Sequence, residues 1–149
     1  MDGYNGASGS ITLNLSQAAA PANDNFVNGT VVSSNTIVWN GTNVGATKQA
    51  GEPSIAGNGG GASVWLTWTA TKTSTVSLNT HGSSFDTILG VFTGSSVSAL
   101  TTVASNDDDP AGGTLTSALT FNAVAGTTYH IAIDGYNGAT GSIVVNLTA

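Results

Sequence analysis

Near its C-terminus the chain reads Asp134-Gly-Tyr-Asn-Gly-Ala-Thr-Gly-Ser-Ile-Val-Val-Asn-Leu-Thr148, here called the C-terminal motif. Its Asn-Gly pair and nearby glycines favour a tight turn, because Asn and Gly tolerate positive φ angles. After the turn, apolar residues at every second position predict a strand with one buried face. The motif therefore predicts a turn and the closing strand of a sheet.

The same motif occurs 132 residues earlier, as Asp2-Gly-Tyr-Asn-Gly-Ala-Ser-Gly-Ser-Ile-Thr-Leu-Asn-Leu-Ser16, here called the N-terminal motif. Eleven of its fifteen positions are identical to those of the C-terminal motif. A single β-sandwich has one position for such a strand, so one copy is surplus. The apolar face of the surplus copy consists of Ile11, Leu13 and Leu15, which we predict to be an assembly strand.

Three explanations of the surplus strand are open. Residues 2–16 are the last strand of a preceding tandem repeat, or they are lent to a neighbouring subunit in a head-to-tail polymer, or they lie unpaired or at a sheet edge. An unpaired strand with an apolar face is prone to association. The first two explanations are therefore favoured.

Between the two motifs, short alternating stretches separated by Gly-, Asn- and Asp-rich turns predict about nine short strands and no substantial helix. The run Thr87–Phe92 is almost continuously apolar, which is typical of a strand covered on both faces. The pattern predicts an all-β fold, a two-sheet antiparallel β-sandwich of jelly-roll type. The predicted organisation is a surplus strand at residues 1–16, equivalent to residues 133–148, a linker at 17–25 and one sandwich domain at 26–149.

The composition excludes several classes of partner. The 149 residues include two lysines, no arginine and eight acidic residues, and the net charge is -6. That balance argues against binding to nucleic acid or to an anionic membrane. There is no Cys for a disulfide or a thiolate site, and no apolar run long enough for membrane insertion. Few charges and abundant Ser, Thr, Gly and Asn predict an extracellular or cell-surface protein of a bacterium.

Four aspartates stand at predicted strand ends. Asp86 begins the apolar strand, Asp107 and Asp108 follow the next predicted strand, and Asp134 ends the predicted strand Thr128–Ile133. Because strand ends meet at the rims of a sandwich, we expect these carboxylates to converge. Ca²⁺ is bound by about six to eight oxygen atoms, many of them from carboxylates. The sequence therefore predicts a calcium site.

Asp2 extends this hypothesis, because it occupies the motif position of Asp134. It would complete the same carboxylate group in a neighbouring repeat, and calcium would then stiffen the array. The alternative is that the Asp107–Asp109 run is a solvated turn and that Asp86 and Asp134 only cap strand ends.

Catalytic chemistry has little support in the sequence. The two histidines are His81 and His130, and no Gly-x-Ser-x-Gly nucleophile elbow accompanies them. Glu52 is the single Glu, so a glycosidase pair would need Glu52 and one Asp. We therefore predict that the chain is not an enzyme.

Three tryptophans are candidates for a sugar-stacking platform, namely Trp39, Trp65 and Trp68. Trp65 and Trp68 point to opposite faces of their predicted strand. Packing in the core is the commoner fate of such large aromatic side chains.

Five groups of residues occur in a characteristic order. They are Pro21-Ala-Asn-Asp-Asn-Phe26, Gly51-Glu-Pro53, Ser63-Val-Trp-Leu-Thr-Trp68, Ser84-Phe-Asp-Thr87 with Val91-Phe-Thr-Gly94, and Val124-Ala-Gly-Thr-Thr-Tyr129 with Ile131-Ala-Ile-Asp-Gly-Tyr136. As an ordered set they resemble bacterial pre-peptidase C-terminal (PPC-like) domains. The resemblance implies a β-sandwich module of secreted or surface proteins, often repeated in tandem and appended to enzymes or adhesins. It also implies that relatives can bind calcium.

Together these patterns predict a non-catalytic extracellular structural repeat. It would assemble head-to-tail with copies of itself into a linear array or fibre, through strand complementation or tandem linkage, with stabilisation by calcium. The alternative is a carbohydrate- or protein-binding accessory module of a secreted enzyme or adhesin.

Overall fold

The computed structural model describes residues 4–149, which form two packed β-sheets. Nine strands are present in this part of the chain: β1 Thr30–Val32, β2 Thr36–Thr42, β3 Val64–Thr69, β4 Ser74–Asn79, β5 Thr87–Thr93, β6 Thr101–Asn106, β7 Ala118–Ala123, β8 Thr128–Gly135 and β9 Ser142–Thr148. Four short 3₁₀ turns accompany them: Tyr4–Gly6, Phe26–Asn28, Val97–Ala99 and Tyr136–Gly138. Within residues 4–149 no helix has the length and hydrophobicity needed to cross a membrane.

The strand order confirms the predicted all-β sandwich. Sheet A has the order β1-β3-β8-β5-β6, and sheet B has the order β2-β9-β4-β7. Every pairing is antiparallel except that of β1 with β3, which is parallel. The exception arises because the chain leaves β1 for β2 in the opposite sheet and then returns to β3, so β1 and β3 run in the same direction.

The main core lies between the two sheets, and a second core lies on the outer face of sheet A. The second core contains Phe26, Ile55, Trp65, Ile88 and Phe92. Strands β3, β5 and β8 are consequently buried on both faces. This agrees with the apolar run of Thr87–Phe92, which the sequence predicts to be covered on both sides.

Strand β9 is an inner strand of sheet B, paired with β2 on one side and with β4 on the other. Ile143, Val145 and Leu147 are each 1% exposed and belong to the core between the sheets. The sandwich therefore has one β9 position, and its own C-terminal motif fills it.

The N-terminal motif reproduces the turn of the C-terminal motif but not its strand. Asn5 has φ 55° and ψ 37°, and its equivalent Asn137 has φ 50° and ψ 31°. From residue 7 to residue 20 the backbone forms no strand within this chain. Ile11, Leu13 and Leu15 are 66%, 63% and 83% exposed. Pairing of this segment with a neighbouring repeat stays a prediction, and residues 1–3 lie outside the described part.

The sandwich begins earlier than the predicted boundary at residue 26. Asn23 exchanges two hydrogen bonds with the backbone of Trp65, since the Trp65 amide donates to the Asn23 carbonyl (2.9 Å) and Asn23 Nδ2 donates to the Trp65 carbonyl (3.0 Å). The Asp24 carboxylate accepts the Thr47 amide at 2.6 Å and its hydroxyl at 3.0 Å. The described linker is therefore shorter than the predicted 17–25. The boundary was misplaced because these polar residues are buried against the sheet.

Candidate functional site

Three of the predicted carboxylates meet at one rim of sheet A. Asp86 directly precedes β5, and Asp107 and Asp108 directly follow β6, its antiparallel partner. One carboxylate oxygen from each of the three lies within 4.8 Å of the others. We call these three residues the acidic group. The strand pairing explains their approach, because the start of one strand lies beside the end of its antiparallel neighbour.

A buried network of hydroxyl groups fixes the backbone beneath the acidic group. Ser117 Oγ lies 2.7 Å from the carbonyl oxygens of both Thr87 and Asp107. The hydroxyl oxygens of Thr80 and Thr87 are 2.6 Å apart. Ser117, Thr80 and Thr87 are all fully buried. The two chain segments that carry the acidic group are thus held together independently of their carboxylates.

The electrostatics of the acidic group favour a proton or a cation. Burial raises the pKa of Asp86 and of Asp107, and the negative charge of Asp108 raises both further. Asp86 Oδ1 and Asp107 Oδ1 are buried and accept no hydrogen bond. Hard divalent cations prefer oxygen ligands of this kind. These two oxygens, with the exposed Asp108 carboxylate, could bind such an ion.

Asp109, the third member of the run, has a different role that the sequence did not predict. Its Oδ2 lies 2.7 Å from His81 Nε2, and its Oδ1 accepts the Ala111 amide at 3.1 Å. The Ala111 amide and the His81 side chain lower the pKa of Asp109. The contact fixes the 107–113 loop to the end of β4. It also places His81 beside Asp109 rather than within the acidic group.

The placement of Asp134 in the acidic group was wrong. Its carboxylate is fully buried, and its Oδ1 accepts the amides of Ala62 and Gly135 at 2.7 Å and that of Gly61 at 3.0 Å. Lys48 Nζ lies 3.3 Å from Oδ2. The alternation of β8 directs Asp134, like Ala132, to the outer face of sheet A and the 43–62 loop. Its motif equivalent Asp2 lies outside the described residues.

Glu52 is also fixed within this loop. Its carboxylate accepts Ser63 Oγ at 2.6 Å and Trp65 Nε1 at 3.2 Å. Its Oε2 lies 3.9 Å from Lys48 Nζ. The glycosidase pairing that the sequence left open would need an Asp beside Glu52, and the Asp that shares Lys48 with Glu52 is the fully buried Asp134.

The tryptophans that were candidates for sugar stacking are largely buried. Trp65 is in the outer core of sheet A, and Trp68 is in the core between the sheets. Their opposite orientations were predicted from the alternation of β3. Trp39 is partly buried and packs against the core between the sheets. His130 packs on Phe26, with ring centroids 4.5 Å apart, and burial lowers the pKa of His130.

Comparison with known proteins identifies the fold. No family model and no curated protein matches the chain. Among solved structures, the chain is similar to the pre-peptidase C-terminal domain of a collagenase from Bacillus anthracis. The TM-score is 0.53 at 10% sequence identity, and the alignment covers 80% of this chain and 94% of that domain. The chain therefore has a PPC-like β-sandwich fold, as the resemblance implied.

Proposed function

We propose that this chain is a non-catalytic structural module of a linear array, in which the N-terminal motif occupies the β9 position of a neighbouring repeat. The observation that carries the proposal is the contrast between two nearly identical segments. The same apolar positions are about 1% exposed in one motif and more than 60% exposed in the other. A segment with the sequence of an inner strand and no partner strand of its own is expected to pair elsewhere.

Counting β9 positions favours tandem linkage over exchange between separate subunits. Each sandwich offers one β9 position, between β2 and β4, and its own residues 142–148 fill it. If the subunits were separate and identical, each would carry two strands of this type, one from each motif, but only one β9 position. In a tandem chain with a 132-residue period, every sandwich has one β9 strand, and residues 17–20 lead from that strand into the next sandwich. The arrangement leaves no strand surplus.

We further propose that the module is extracellular and that the acidic group binds Ca²⁺. The extracellular assignment is supported by the composition and by the likeness to a collagenase domain. The calcium assignment is supported by the two buried carboxylate oxygens that accept no hydrogen bond. A bound cation would offset the repulsion within the acidic group, since the salt bridges among the described residues do not include one to that group.

Deletion of residues 2–16 tests the assembly proposal. We expect the free energy of unfolding to change by less than about 0.5 kcal/mol, because the described side chains removed are exposed. Any concentration-dependent association of the full chain, measured by sedimentation equilibrium, should be lost with the segment, because an unpaired strand with an apolar face is prone to association. A loss of several kcal/mol would instead make the segment part of its own sandwich and contradict the proposal.

A two-repeat chain provides the matching positive control. Joining residue 148 directly to a further copy of residues 17–149 preserves the 132-residue period. Each sandwich in that chain should unfold with the stability of the single one. Electron microscopy should resolve two sandwiches in a row, and a misfolded second sandwich would argue against tandem linkage.

Calcium is expected to raise the melting temperature of the full chain relative to EDTA. At a concentration about 100 times its Kd, calcium would stabilise the fold by about 2.7 kcal/mol. Asp107→Asn should remove this stabilisation, whereas Asp109→Asn should retain it, because the Asp109 carboxylate contacts His81 and Ala111. The effect should weaken as the pH falls toward the raised pKa values of Asp86 and Asp107, since protons then compete for the same oxygens. Equal melting temperatures in calcium and EDTA would refute the site.

A further inference from the structure

The most unusual buried chemistry in the described residues lies outside the acidic group, where one of the two lysines meets two carboxylates. Lys48 Nζ lies 3.3 Å from Asp134 Oδ2 and 3.9 Å from Glu52 Oε2. The side chains of Asp134 and Glu52 are 0% and 2% exposed, and that of Lys48 is 24% exposed. The other lysine, Lys72, lies on the surface. An amine and a carboxyl group are therefore held together where solvent water is largely excluded.

The surroundings of Asp134 match what acyl chemistry at its Cγ requires. Three backbone N–H groups, those of Gly61, Ala62 and Gly135, donate to Oδ1 at 2.7–3.0 Å, and the Gly61 N–H is shared with Oδ2 at 3.0 Å. Such donors stabilise the negative charge that develops on an oxygen when a nucleophile adds to its carbon. The amine of Lys48 approaches from the side of Oδ2, the other oxygen. Oδ1 would thus become the stabilised oxyanion, and Oδ2 would become the leaving oxygen.

The loop comes so close to Asp134 that it excludes any side chain at residue 60. A Cβ atom on Gly60 would overlap Asp134 Oδ2, and Gly60 has φ +60°. Gly60 and Gly61 therefore let the backbone close over the carboxylate. Enclosure of this kind favours condensation over hydrolysis, and the 3.3 Å contact between Lys48 Nζ and Asp134 Oδ2 keeps the amine beside the carboxyl group that it would attack.

We propose that Lys48 and Asp134 form an intramolecular amide crosslink. Glu52 accepts a proton from the Lys48 ammonium group, and the free amine attacks Cγ of Asp134, forming the C–N bond. Charge collects on Oδ1. The Cγ–Oδ2 bond then breaks, and Oδ2 leaves as water with the proton returned from Glu52 and a second proton from the nitrogen. An ammonium and a carboxylate become one amide and one water, so no oxidant, reductant or further reactant is needed.

The crosslink would join the 43–62 loop covalently to the end of β8 in a chain without disulfides. It would also replace a buried ion pair, whose desolvation is costly, with a neutral group. The crosslink would close the chain between Lys48 and Asp134 into a loop. It would thereby lower the conformational entropy of the unfolded state, as a disulfide does. This inference does not depend on the proposed array, and either can fail without the other.

Intact-mass spectrometry of the full chain, fresh and after days at neutral pH, tests the proposal. The expected mass is that of the sequence less the mass of one water molecule, because amide condensation releases one water. Proteolysis should release a branched peptide joining Lys48 to Asp134. Lys72→Ala should retain the loss, and Glu52→Gln should slow it. A wild-type mass equal to that of the sequence throughout would overturn the proposal, whether or not any variant folds.

Succinimide formation causes the same loss of mass and must be distinguished from the crosslink. An Asp-Gly pair can lose water by forming a succinimide with its own backbone, and both Asp134-Gly135 and Asp2-Gly3 are such pairs. The succinimide needs no lysine. Loss of water that disappears in Lys48→Ala supports the crosslink, whereas loss of water that persists in Lys48→Ala overturns it.

Discussion

Replacing Leu147 with Ala is expected to lower the free energy of unfolding by about 2–5 kcal/mol, because the change leaves a cavity in the core between the sheets. Leu147 is 1% exposed and lies on an inner strand between β2 and β4. The collapse of the surrounding strands onto the cavity is limited, since β9 is hydrogen-bonded on both edges. Chemical denaturation followed by tryptophan fluorescence measures the change directly.

The matched control is Leu15→Ala, which makes the same substitution at the same position of the other motif. Leu15 is 83% exposed, so the change should alter the stability of the isolated chain by less than about 0.5 kcal/mol. It should, however, weaken any association between chains that the exposed apolar face of the N-terminal motif causes. Equal destabilisation by the two substitutions would mean that both motifs are built into one sandwich, and the array proposal would then fail.

Asp134→Ala should cost about 3–5 kcal/mol, as expected when one partner of a buried ion pair is removed. The substitution leaves the amides of Gly61 and Ala62 without their acceptor and leaves Lys48 without its closest carboxylate. If the amide crosslink is present, its loss adds to the same effect. The loss of stability should be the same in calcium and in EDTA, because Asp134 is not part of the acidic group.

Asp108→Ala is the control for a carboxylate that belongs to the acidic group. Asp108 is exposed, and its negative charge raises the pKa of both Asp86 and Asp107. Its removal should therefore leave stability in EDTA unchanged or slightly increased, and should reduce only the stabilisation by calcium. Thermal melting in both conditions separates the two roles. If Asp134→Ala lost more stability in calcium than in EDTA, Asp134 would have to be part of the cation site.

The features predicted correctly from the sequence are those that depend on local alternation. The opposite orientations predicted for Trp65 and Trp68 are found in β3, and the apolar run of Thr87–Phe92 forms β5 as expected. The turn at Asn137 and the strand of the C-terminal motif also follow from local chemistry. The proximity of Asp86 to Asp107 and Asp108 was also predicted correctly, because strand ends meet at the rim of a sandwich.

The features that were not predicted depend on how a long loop folds onto the sheet. Asp134 is held by amides of residues 61 and 62 and by Lys48, whose positions no local pattern specifies. Asn23 and Asp24 have the composition of a linker but are buried by contacts with Trp65 and Thr47. In each case a polar side chain is satisfied by a distant backbone group, which sequence spacing alone cannot indicate.

The two motifs show which features depend on local sequence and which depend on contacts with distant strands. Both motifs form the same turn. In the N-terminal motif the Ala7 amide donates to the Tyr4 carbonyl at 3.3 Å, and in the C-terminal motif the Ala139 amide donates to the Tyr136 carbonyl at 3.0 Å. Only the motif that has β2 and β4 beside it forms a strand. The turn depends on its own four residues, whereas the strand depends on partners that the N-terminal motif lacks within its own sandwich.

Hydrogen exchange in the monomeric full chain is the decisive measurement of whether the N-terminal motif is unpaired. The amides of residues 10–16 should exchange at the rate of an open chain, while those of residues 142–148 should be protected to the level of global unfolding. Strong protection of both segments in a monodisperse monomer would mean that both strands lie in one sandwich, and the array proposal would then be wrong.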